Sequence, residues 1–324
     1  MATDDVLVAD IGGTNARFAM AREEGGRICV DQPHTFRAED FETIRDAADA
    51  YLEAVSAKPK SACFAVAGPV TDEAIAFTNS PWVLKPTEIK PLLELQRLVV
   101  VNDFEAQAAG VSSLGEGDLL KVKDGAPDAR APRLVIGPGT GLGQALIVPR
   151  PAGETIVPTE GGHVSFAPRT DVEIEIMKFV AREHPRVSVE RLLSGRGLVN
   201  IHRALCSVAG VQRVSLRADE ITKAAETEEF PIAVEAVDVF CALLGAVAGD
   251  AVLATGARGG VVLGGGILPK IRETFLASRF RERFADKGRM RVYLEATPVD
   301  LIVTEGAALV GAAAILKKRG HDAH

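Results

Sequence analysis

The order of apolar and polar positions predicts a β-hairpin near the start of the chain. An apolar run that begins at Val6 reaches Asp10, passes two glycines and a threonine, and continues as an alternating segment to Met20. Alternation with a period of two residues is typical of a strand rather than a helix. The two common phosphate-binding loops run from their glycines into a helix, so neither of them is predicted here.

The same order of residues occurs again in the middle of the chain. Residues 134–148 form a second apolar run, a glycine-rich turn with a threonine, and a second apolar segment. A third strand is predicted after each copy, at 27–36 and at 154–158. Two similar segments that are separated by the length of a domain predict a duplicated fold.

The remaining apolar runs predict buried strands and further helices. Short continuous runs predict strands at 61–67, 98–101, 260–263 and 299–303. Helical spacing predicts helices at 40–55, 104–111, 172–182, 198–208, 231–255 and 305–318, and two more that begin near Ser188 and Pro269. Asp40 and Ser188 are the expected N-caps of their helices, and the glycine-containing residues 195–197 are expected to interrupt the helical region.

The length of the chain predicts two domains. With 324 residues, the chain exceeds the roughly 250 to 300 residues at which a single hydrophobic core stops growing. Residues 112–132 are rich in Gly, Asp and Pro and are expected to connect the domains. The last helix is expected to pack back on the first domain. The predicted small domain therefore comprises residues 1–112 plus 306–324, and the large domain comprises residues 113–305.

Composition and charge argue against several classes of protein. Apolar residues make up 47% of the chain and charged residues 25%, which suits a sizeable core and argues against disorder. The net charge of −7 argues against a nucleic-acid or anionic membrane surface. No signal peptide is expected, and the apolar residues 307–316 are about half as long as a membrane span. The four cysteines contain no C-x-x-C pair, which fits a reducing compartment and offers no zinc site. A soluble cytoplasmic protein is therefore expected.

The first glycine turn is a candidate phosphate site. Gly12 and Gly13 allow φ > 0 and close approach of the backbone, so that amide groups and the Thr14 hydroxyl can hold a phosphate. Asp10 lies at the end of the first strand, where its carboxylate suits Mg²⁺. An ordinary hairpin turn explains the same residues equally well.

A second candidate is the sequence that follows the strand at 98–101. Asp103 lies at the carboxyl end of this strand, where open α/β sheets place their ligands. The alternative is structural. Asn102 and Glu105 form an N-x-x-E capping pattern, and Asp103 would then only suit the helix dipole.

Three further segments are candidates for ligand binding. Glu160 and His163 lie in a tight polar loop with two glycines, Glu190 opens a predicted helix, and residues 264–266 are three glycines after a buried strand. A flat ring or a ribose can approach such a glycine turn closely. Each segment also has a structural alternative: a packed histidine, a first-turn acid and a tight strand–helix connection.

The only tryptophan, Trp82, suits a core position.

Six stretches together resemble the bacterial glucokinases of the actin, hexokinase and Hsp70-like ATPase superfamily. They occur in the family's order within residues 6–318, and they are ADIGGTNARFA (9–19), VVVNDFEAQA (99–108), IGPGTGLG (136–143), PTEGGHVSFAP (158–168), VERLLSGRGLVNIHRAL (189–205) and LGGGI (263–267). One such motif is weak evidence, whereas six in order are highly specific.

The resemblance implies an α/β fold of the two-domain actin-like ATPase type, a duplicated ribonuclease H-like fold with an interdomain cleft. It implies ATP-dependent phosphorylation of D-glucose at the 6-hydroxyl, with Asp103 as the general base. The implied sugar ligands are Asn102, Glu160, His163, Glu190 and Asn79. The implied ligands of ATP and Mg²⁺ are Asp10, Gly12, Gly13, Thr14, Asn15, Gly139, Thr140, Gly141, Gly264, Gly265 and Gly266, with Asp10 on the metal. The likeness also implies a homodimer.

Two alternative functions stay open. One is a kinase for another hexose or an N-acylated amino sugar, because loops outside the motifs shape the pocket. The other is a nucleotide-gated binding protein, either a chaperone-like ATPase or a sugar-sensing regulator. No helix-turn-helix or basic segment precedes the first strand and no peptide-binding domain is expected after residue 318, so this second class is less favoured. The C-x-C-G-x-x-G-C-x-E zinc motif of the related repressor and open-reading-frame sugar kinases is absent from the sequence, which disfavours that branch.

Overall fold

The computed structural model describes residues 5–68, 70, 73–77, 80–115, 117–211, 215–227 and 230–321. Internal contacts divide the chain into two compact units. Unit 1 comprises Met1–Asp118, Ile156–Pro158 and Thr304–His324, and unit 2 comprises Leu119–Thr155 and Thr159–Val303. The domain boundaries expected at residues 112 and 305 remain predictions.

Strands dominate the first half of the chain and helices dominate the second half. The strands are β1 (Val6–Ile11), β2 (Asn15–Glu24), β3 (Arg27–Arg37), β4 (Ser61–Val66), β5 (Ile75–Ala76), β6 (Val83–Leu84), β7 (Arg97–Asn102), β8 (Leu119–Lys123), β9 (Arg133–Pro138), β10 (Leu142–Arg150), β11 (Gly153–Thr159), β12 (Gly260–Leu263) and β13 (Val299–Ile302). The helices are α1 (Ile44–Val55), α2 (Pro86–Leu92), α3 (Asp103–Val111), α4 (Asp171–Ala181), α5 (Gly195–Val208), α6 (Ala218–Glu226), α7 (Pro231–Thr255), α8 (Arg272–Ala277), α9 (Phe280–Ala285), α10 (Arg291–Glu295) and α11 (Ala307–His321). Short 3-10 turns lie at Ala38–Asp40, Gly161–His163, Val189–Arg191 and Gly288–Met290.

Unit 1 contains a five-stranded sheet with a hydrophobic core on each face. The strand order is β3-β2-β1-β4-β7, in which β1, β4 and β7 are parallel and β2 and β3 are antiparallel additions. One core includes Phe18, Phe64 and residues of α1. The other includes Val8 and the apolar side chains of α11. Trp82 is 2% exposed, and its indole N–H donates to the Phe41 carbonyl at 3.0 Å, which confirms it as a core residue.

The start of α1 differs from the prediction. The helix begins directly after Thr43, whose hydroxyl accepts from the Asp46 N–H while the Asp46 carboxylate accepts from the Thr43 N–H at 2.9 Å. This reciprocal capping box satisfies two backbone donors and fixes the first turn. Asp40 instead ends a 3-10 turn, so its prediction as the N-cap is wrong.

Unit 2, together with residues 156–158 of β11, contains a six-stranded sheet built on the same plan. The strand order is β11-β10-β9-β12-β13-β8, in which β9, β12 and β13 are parallel and β10 is antiparallel to β9. The first five strands of this order correspond one by one to β3-β2-β1-β4-β7 of unit 1. The predicted duplication of the fold is therefore confirmed.

The helix α7 is a core element of unit 2. It runs over Pro231–Thr255, as predicted, and packs against α9, α6 and α5. By length and composition it is apolar enough to cross a membrane, but 67% of its most apolar window is buried within the protein. A Cβ at Gly245 or Gly249 would collide with the carbonyls of Phe280 and Phe284, so these glycines allow α7 and α9 to pack closely.

The start of α5 also differs from the prediction. Residues 195–197 do not interrupt a helix but form its first turn, because the Ser194 hydroxyl accepts from the Gly197 N–H at 3.0 Å and caps it. Ser188 precedes a 3-10 turn rather than a helix, and its side chain makes no capping hydrogen bond. Both predicted boundaries are therefore wrong.

Two other segments differ in detail from the prediction. Residues 112–132 contain the boundary between the units, which lies between Asp118 and Leu119, but they also include β8, which pairs with β13 at the edge of the sheet. The helix expected near Pro269 begins at Arg272.

Candidate active site

The first glycine turn joins β1 to β2 in unit 1. The Gly12 N–H donates to the Asn15 carbonyl at 2.9 Å, and the Thr14 carbonyl accepts from the Ala38 N–H at 2.8 Å. These bonds fix the backbone of the turn, while the side chains of Thr14 and Asn15 are exposed and Gly13 is buried. Gly12 does not use the left-handed φ that glycine allows, and among the described residues a Cβ there would meet only the Asn15 carbonyl, at 3.6 Å. The described part of the fold does not require glycine at this position and leaves space beside the backbone.

Asp10 lies next to this turn, near the carboxyl end of β1, and its residue is half-buried. It faces Arg17 across the hairpin, and the Arg17 guanidinium donates to Glu305 at 2.9 Å and to Thr35 at 3.1 Å. Burial raises the pKa of Asp10, and the charge of Arg17 acts in the opposite direction. A carboxylate whose charge is costly to bury is a favourable position for a cation.

A single carboxylate fits Mg²⁺ at a nucleotide site. Magnesium is usually held by one or two carboxylates together with phosphate oxygens and water, rather than by an all-protein cage. Among the residues that the structure describes, no group of three or more His, Cys, Asp or Glu side chains forms a metal cluster. Asp10 is thus suited to a metal that arrives with a phosphate ligand.

Asn102 and Asp103 lie where β7 passes into α3. Asn102 caps the helix, because its Oδ1 accepts from the N–H groups of Phe104 at 2.9 Å and Glu105 at 3.2 Å. Its Nδ2 donates to the Gly68 carbonyl at 3.2 Å. The capping interpretation of Asn102 is therefore confirmed. Asp103 is the first residue of α3, is half-buried, and accepts from the Phe104 N–H at 2.9 Å.

Asp10 and Asp103 are placed at the same edge of the unit 1 sheet. Asp10 pairs with Ala65 of β4, and Ala65 pairs with Val101 of β7. Because all three strands are parallel, their carboxyl ends meet at one edge, where ligands of open α/β sheets bind. Two strand spacings of about 4.8 Å each separate β1 from β7.

The second glycine turn joins β9 to β10 in unit 2 and lies against the triple-glycine segment. The Gly139 N–H donates to the Gly141 carbonyl at 2.8 Å, and Gly264 N–H donates to the Ile136 carbonyl at 2.9 Å. Gly265 has a left-handed φ of +79°, and a Cβ there would collide with the Pro138 carbonyl. Within the described part of the chain, a Cβ at Gly139 or at Gly266 would meet nothing within 4 Å. Thr140 lies at the tip of the turn between Gly139 and Gly141, and it is exposed. The structure thus brings these two predicted nucleotide segments together and leaves space beside them.

The predicted sugar ligands of unit 2 also lie near one another. The His163 Nε2 is 3.7 Å from the Glu160 Oε2, and both side chains are more than half exposed. The Val189 N–H donates to the Val164 carbonyl at 3.0 Å, and this bond holds the 3-10 turn that contains Glu190 beside the one that contains His163. All three polar side chains therefore belong to one small region of unit 2.

Glu190 makes a contact that its sequence position does not indicate. Its Oε2 accepts from the Leu142 N–H at 2.9 Å, which lies 48 residues away in the chain at the exit of the second glycine turn. Ser194 was also missed, although the S-G-x-G pattern after an apolar pair is a signal for a helix N-cap. Asn79, which is another of the implied sugar ligands, lies outside the described residues.

Comparison with known proteins finds glucokinases both by sequence and by structure. A family model described as glucokinase matches residues 7–319. The glucokinase of Paramagnetospirillum magneticum is 43% identical over 314 residues, with 96% of this chain and 97% of that protein covered. A solved glucokinase from an Antarctic psychrotroph is 38% identical, with 97% of this chain and 99% of the other covered at a TM-score of 0.84.

Two more distant structures share the fold. The glucokinase of Balamuthia mandrillaris in complex with glucose is 24% identical, with 97% and 94% of the two chains covered and a TM-score of 0.83. A glucokinase of the repressor and open-reading-frame family from Streptomyces griseus, in complex with glucose and AMPPNP, is 21% identical, with 97% and 99% covered and a TM-score of 0.67. These matches confirm the predicted α/β fold of the actin-like ATPase type. The match over almost its whole length and the identity of 43% to a curated relative show that this chain belongs to the glucokinase family.

Proposed function

We propose that this protein transfers the γ-phosphoryl group of ATP to the 6-hydroxyl of D-glucose. The observation that carries the proposal is the placing of Asp103 at the same sheet edge as Asp10 and the first glycine turn. About 10 Å of strand spacing leaves room for a phosphoryl group and an attacking hydroxyl between the two acids. The Streptomyces structure contains glucose and AMPPNP, the two kinds of ligand that the proposal requires.

Asp103 acts as the general base. Phosphoryl transfer depends on in-line positioning and on neutralisation of charge more than on covalent catalysis. A carboxylate within hydrogen-bond reach of the attacking hydroxyl accepts its proton as the bond to phosphorus forms. Because Asn102 caps α3 and also binds the Gly68 carbonyl, the backbone that carries Asp103 is held in place.

The remaining polar residues bind the two substrates. Vicinal hydroxyls of a sugar both donate and accept, so the carboxylates of Glu160 and Glu190 and the His163 imidazole suit them, with Asn102 and Asn79 as further sugar ligands. The nucleotide is held by the glycine turns and their neighbours, namely Gly12, Gly13, Thr14, Asn15, Gly139, Thr140, Gly141, Gly264, Gly265 and Gly266. Asp10 would hold Mg²⁺, which would neutralise charge on the phosphates of ATP.

An assay of ADP release tests this proposal. Wild-type protein is supplied with ATP and glucose, mannose, fructose, galactose or N-acetylglucosamine, and glucose is expected to give the highest kcat/KM. The Asp103→Ala variant is expected to lose orders of magnitude in kcat with little change in KM. Near-normal turnover by the Asp103→Ala variant contradicts the role of Asp103 as the general base. If another sugar gives a higher kcat/KM than glucose, that sugar is the preferred substrate instead.

The cellular setting is part of the same proposal. The protein is expected to act in the cytoplasm as a homodimer, without a nucleic-acid or membrane partner. The net charge of −7 disfavours binding to anionic polymers and surfaces. All four cysteines, Cys29, Cys63, Cys206 and Cys241, are free thiols, which suits a reducing compartment.

A further inference from the structure

One short segment of unit 2 holds the second glycine turn at both of its ends. At the exit of the turn, the Glu190 Oε2 accepts from the Leu142 N–H at 2.9 Å. At its entry, the Gly139 carbonyl accepts from the Gly195 N–H at 2.9 Å. Both holding groups belong to residues 190–195, which we call the clamp segment.

The clamp segment is itself fixed by hydrogen bonds. The Ser194 hydroxyl donates to the Glu190 carbonyl at 2.8 Å and accepts from the Gly197 N–H at 3.0 Å. Ser194 is 2% exposed. A buried hydroxyl with both its donor and acceptor used leaves its neighbours little freedom, so the Glu190 carboxylate reaches the turn from a rigid base.

The glycine at position 141 fits this arrangement. A Cβ at Gly141 would collide with the Glu190 Oε2, while its backbone does not have a left-handed φ. Glycine is therefore required at 141 for the approach of the Glu190 carboxylate rather than for the conformation of the turn.

We infer that Glu190 is a positioning residue for the nucleotide turn Gly139–Gly141, in addition to its place among the sugar ligands. This inference rests on the proposed function, because it takes that turn to bind the phosphates of ATP. A hydrogen bond from a backbone N–H to a carboxylate is about twice as strong as one between neutral groups. Glu190 uses Oε2 for the turn, which leaves Oε1 for a sugar hydroxyl. Nucleotide affinity thus depends on Glu190 even when no sugar is present.

The test measures the Kd of AMPPNP with Mg²⁺ by calorimetry in the absence of sugar. Glu190→Ala is expected to raise this Kd about 10-fold, since it removes a charge-assisted hydrogen bond, and Glu190→Gln is expected to raise it by a smaller factor because the amide oxygen still accepts. Glu160→Ala is the matched control. It removes a proposed sugar ligand that has no bond to the turn, so it is expected to raise the KM for glucose and to keep the wild-type Kd for AMPPNP.

Gly141→Ala gives a second arm. It keeps Glu190 but displaces its carboxylate, and because Gly141 is itself a proposed nucleotide ligand, its raised AMPPNP Kd supports the inference only if adding Glu190→Gln raises the Kd no further. Wild-type Kd values in the folded Glu190 variants overturn the inference, and if Glu190→Ala does not fold, Glu190→Gln and the Gly141→Ala/Glu190→Gln double variant decide it. Failure of the wild-type protein to bind AMPPNP contradicts the proposed function instead, so the two failures are distinguishable.

Discussion

Asn102 links the stability of a helix to the position of the proposed base. Its side-chain oxygen Oδ1 caps α3, and its side-chain nitrogen Nδ2 donates to the Gly68 carbonyl at 3.2 Å. Asp103 follows it directly. Asn102 thus satisfies backbone donors at the start of α3 and also joins the end of β7 to the segment that follows β4. These bonds fix the chain at this point.

The Asn102→Ala variant separates these roles. We expect a loss of stability of about 1 kcal/mol from the lost cap, together with a 10- to 100-fold lower kcat because Asp103 is no longer held in place. The measurements are thermal unfolding and the ADP-release assay. Thr43→Ala, which removes the cap of α1, is the control that should lose similar stability and keep kcat. An unchanged kcat with a raised KM for glucose would leave Asn102 as a sugar ligand only.

His202 gives the molecule a pH-dependent stability. The residue is 4% exposed on α5, its Nε2 lies 3.8 Å from the Cys206 thiol, and its Nδ1 has no hydrogen-bond partner among the residues that the structure describes. Burial lowers the pKa of His202 below its ordinary value of 6.5. Below about pH 6.5 the unfolded chain therefore binds a proton that the folded chain does not, and stability falls as the pH falls.

Replacement of this histidine should flatten that dependence. When the pH changes from 7.5 to 5.5, we expect the Tm of His202→Leu to decrease by less than the Tm of wild type. The exposed His34 provides the control, and His34→Gln should keep the wild-type difference. Equal losses of Tm in His202→Leu and wild type would show that other groups cause the acid sensitivity.

At the scale of single residues, contacts between neighbours in sequence could be predicted, whereas contacts between residues far apart in sequence could not. The cap formed by Asn102 follows from the N-x-x-E pattern, which lies within four residues of sequence. The bond from Leu142 to Glu190 joins residues that are 48 positions apart, and no local pattern encodes it. The role of Asp103 as base remains a prediction.

Two helices of unit 1 cross with their backbones in contact. A Cβ at Gly110 of α3 would collide with the Ala307 carbonyl of α11, and a Cβ at Gly311 would collide with the Ala106 carbonyl. Near the far end of α11, Arg319 pairs with Glu105 at 3.0 Å. The last helix of the chain thus packs directly on the helix that starts with Asp103.

The direction of the stability change caused by Gly311→Ala tests whether the two helices cross this closely. Alanine is favoured over glycine in an isolated helix by about 1 kcal/mol, so Gly311→Ala would stabilise α11 if the helix were packed loosely. We expect instead a loss of about 1–3 kcal/mol, because the added methyl group must separate two backbones. Ala314→Gly, at a partly exposed position of the same helix, should lose only the propensity difference. A higher Tm for Gly311→Ala would contradict the close crossing.

Helix and strand positions were predicted better than their first residues. The limits of α7 and β12 were predicted correctly, because a long apolar run and a short one bounded by glycines leave little choice. The start of α1 was wrong since Asp40 and Thr43 are both good N-caps, and the Thr43–Asp46 pair decides between them. The first turn of α5 was wrong because its glycines were interpreted as breakers, whereas the N–H of Gly195 binds the Gly139 carbonyl.

At the scale of the whole molecule, unit 1 is discontinuous in sequence. The second core of its sheet needs apolar side chains of α11, among them Leu309, Ala312 and Leu316. Between Asp118 and Thr304, most of the chain belongs to unit 2. A hydrophobic sheet face without this helix would be exposed to water.

A pair of fragments tests the dependence on α11. We expect residues 5–118 joined by a flexible Gly/Ser linker to residues 304–321 to unfold cooperatively in a thermal scan followed by circular dichroism. Residues 5–118 alone should show no cooperative transition. The linked fragment with Leu309→Asp is the control and should behave like the shorter fragment. Equal cooperativity of all three would show that unit 1 does not require α11.

The late position of α11 has a consequence for synthesis on the ribosome. The sheet strands of unit 1 emerge early, but the helix that covers one of their faces begins at Ala307. At translation rates of about 5–20 residues per second, the 186 residues from Asp118 to Thr304 (304 − 118) take roughly 10 to 40 s. Throughout that interval the apolar strands of unit 1 lack the helix that covers them, and it is during this time that a chaperone would find its binding surface.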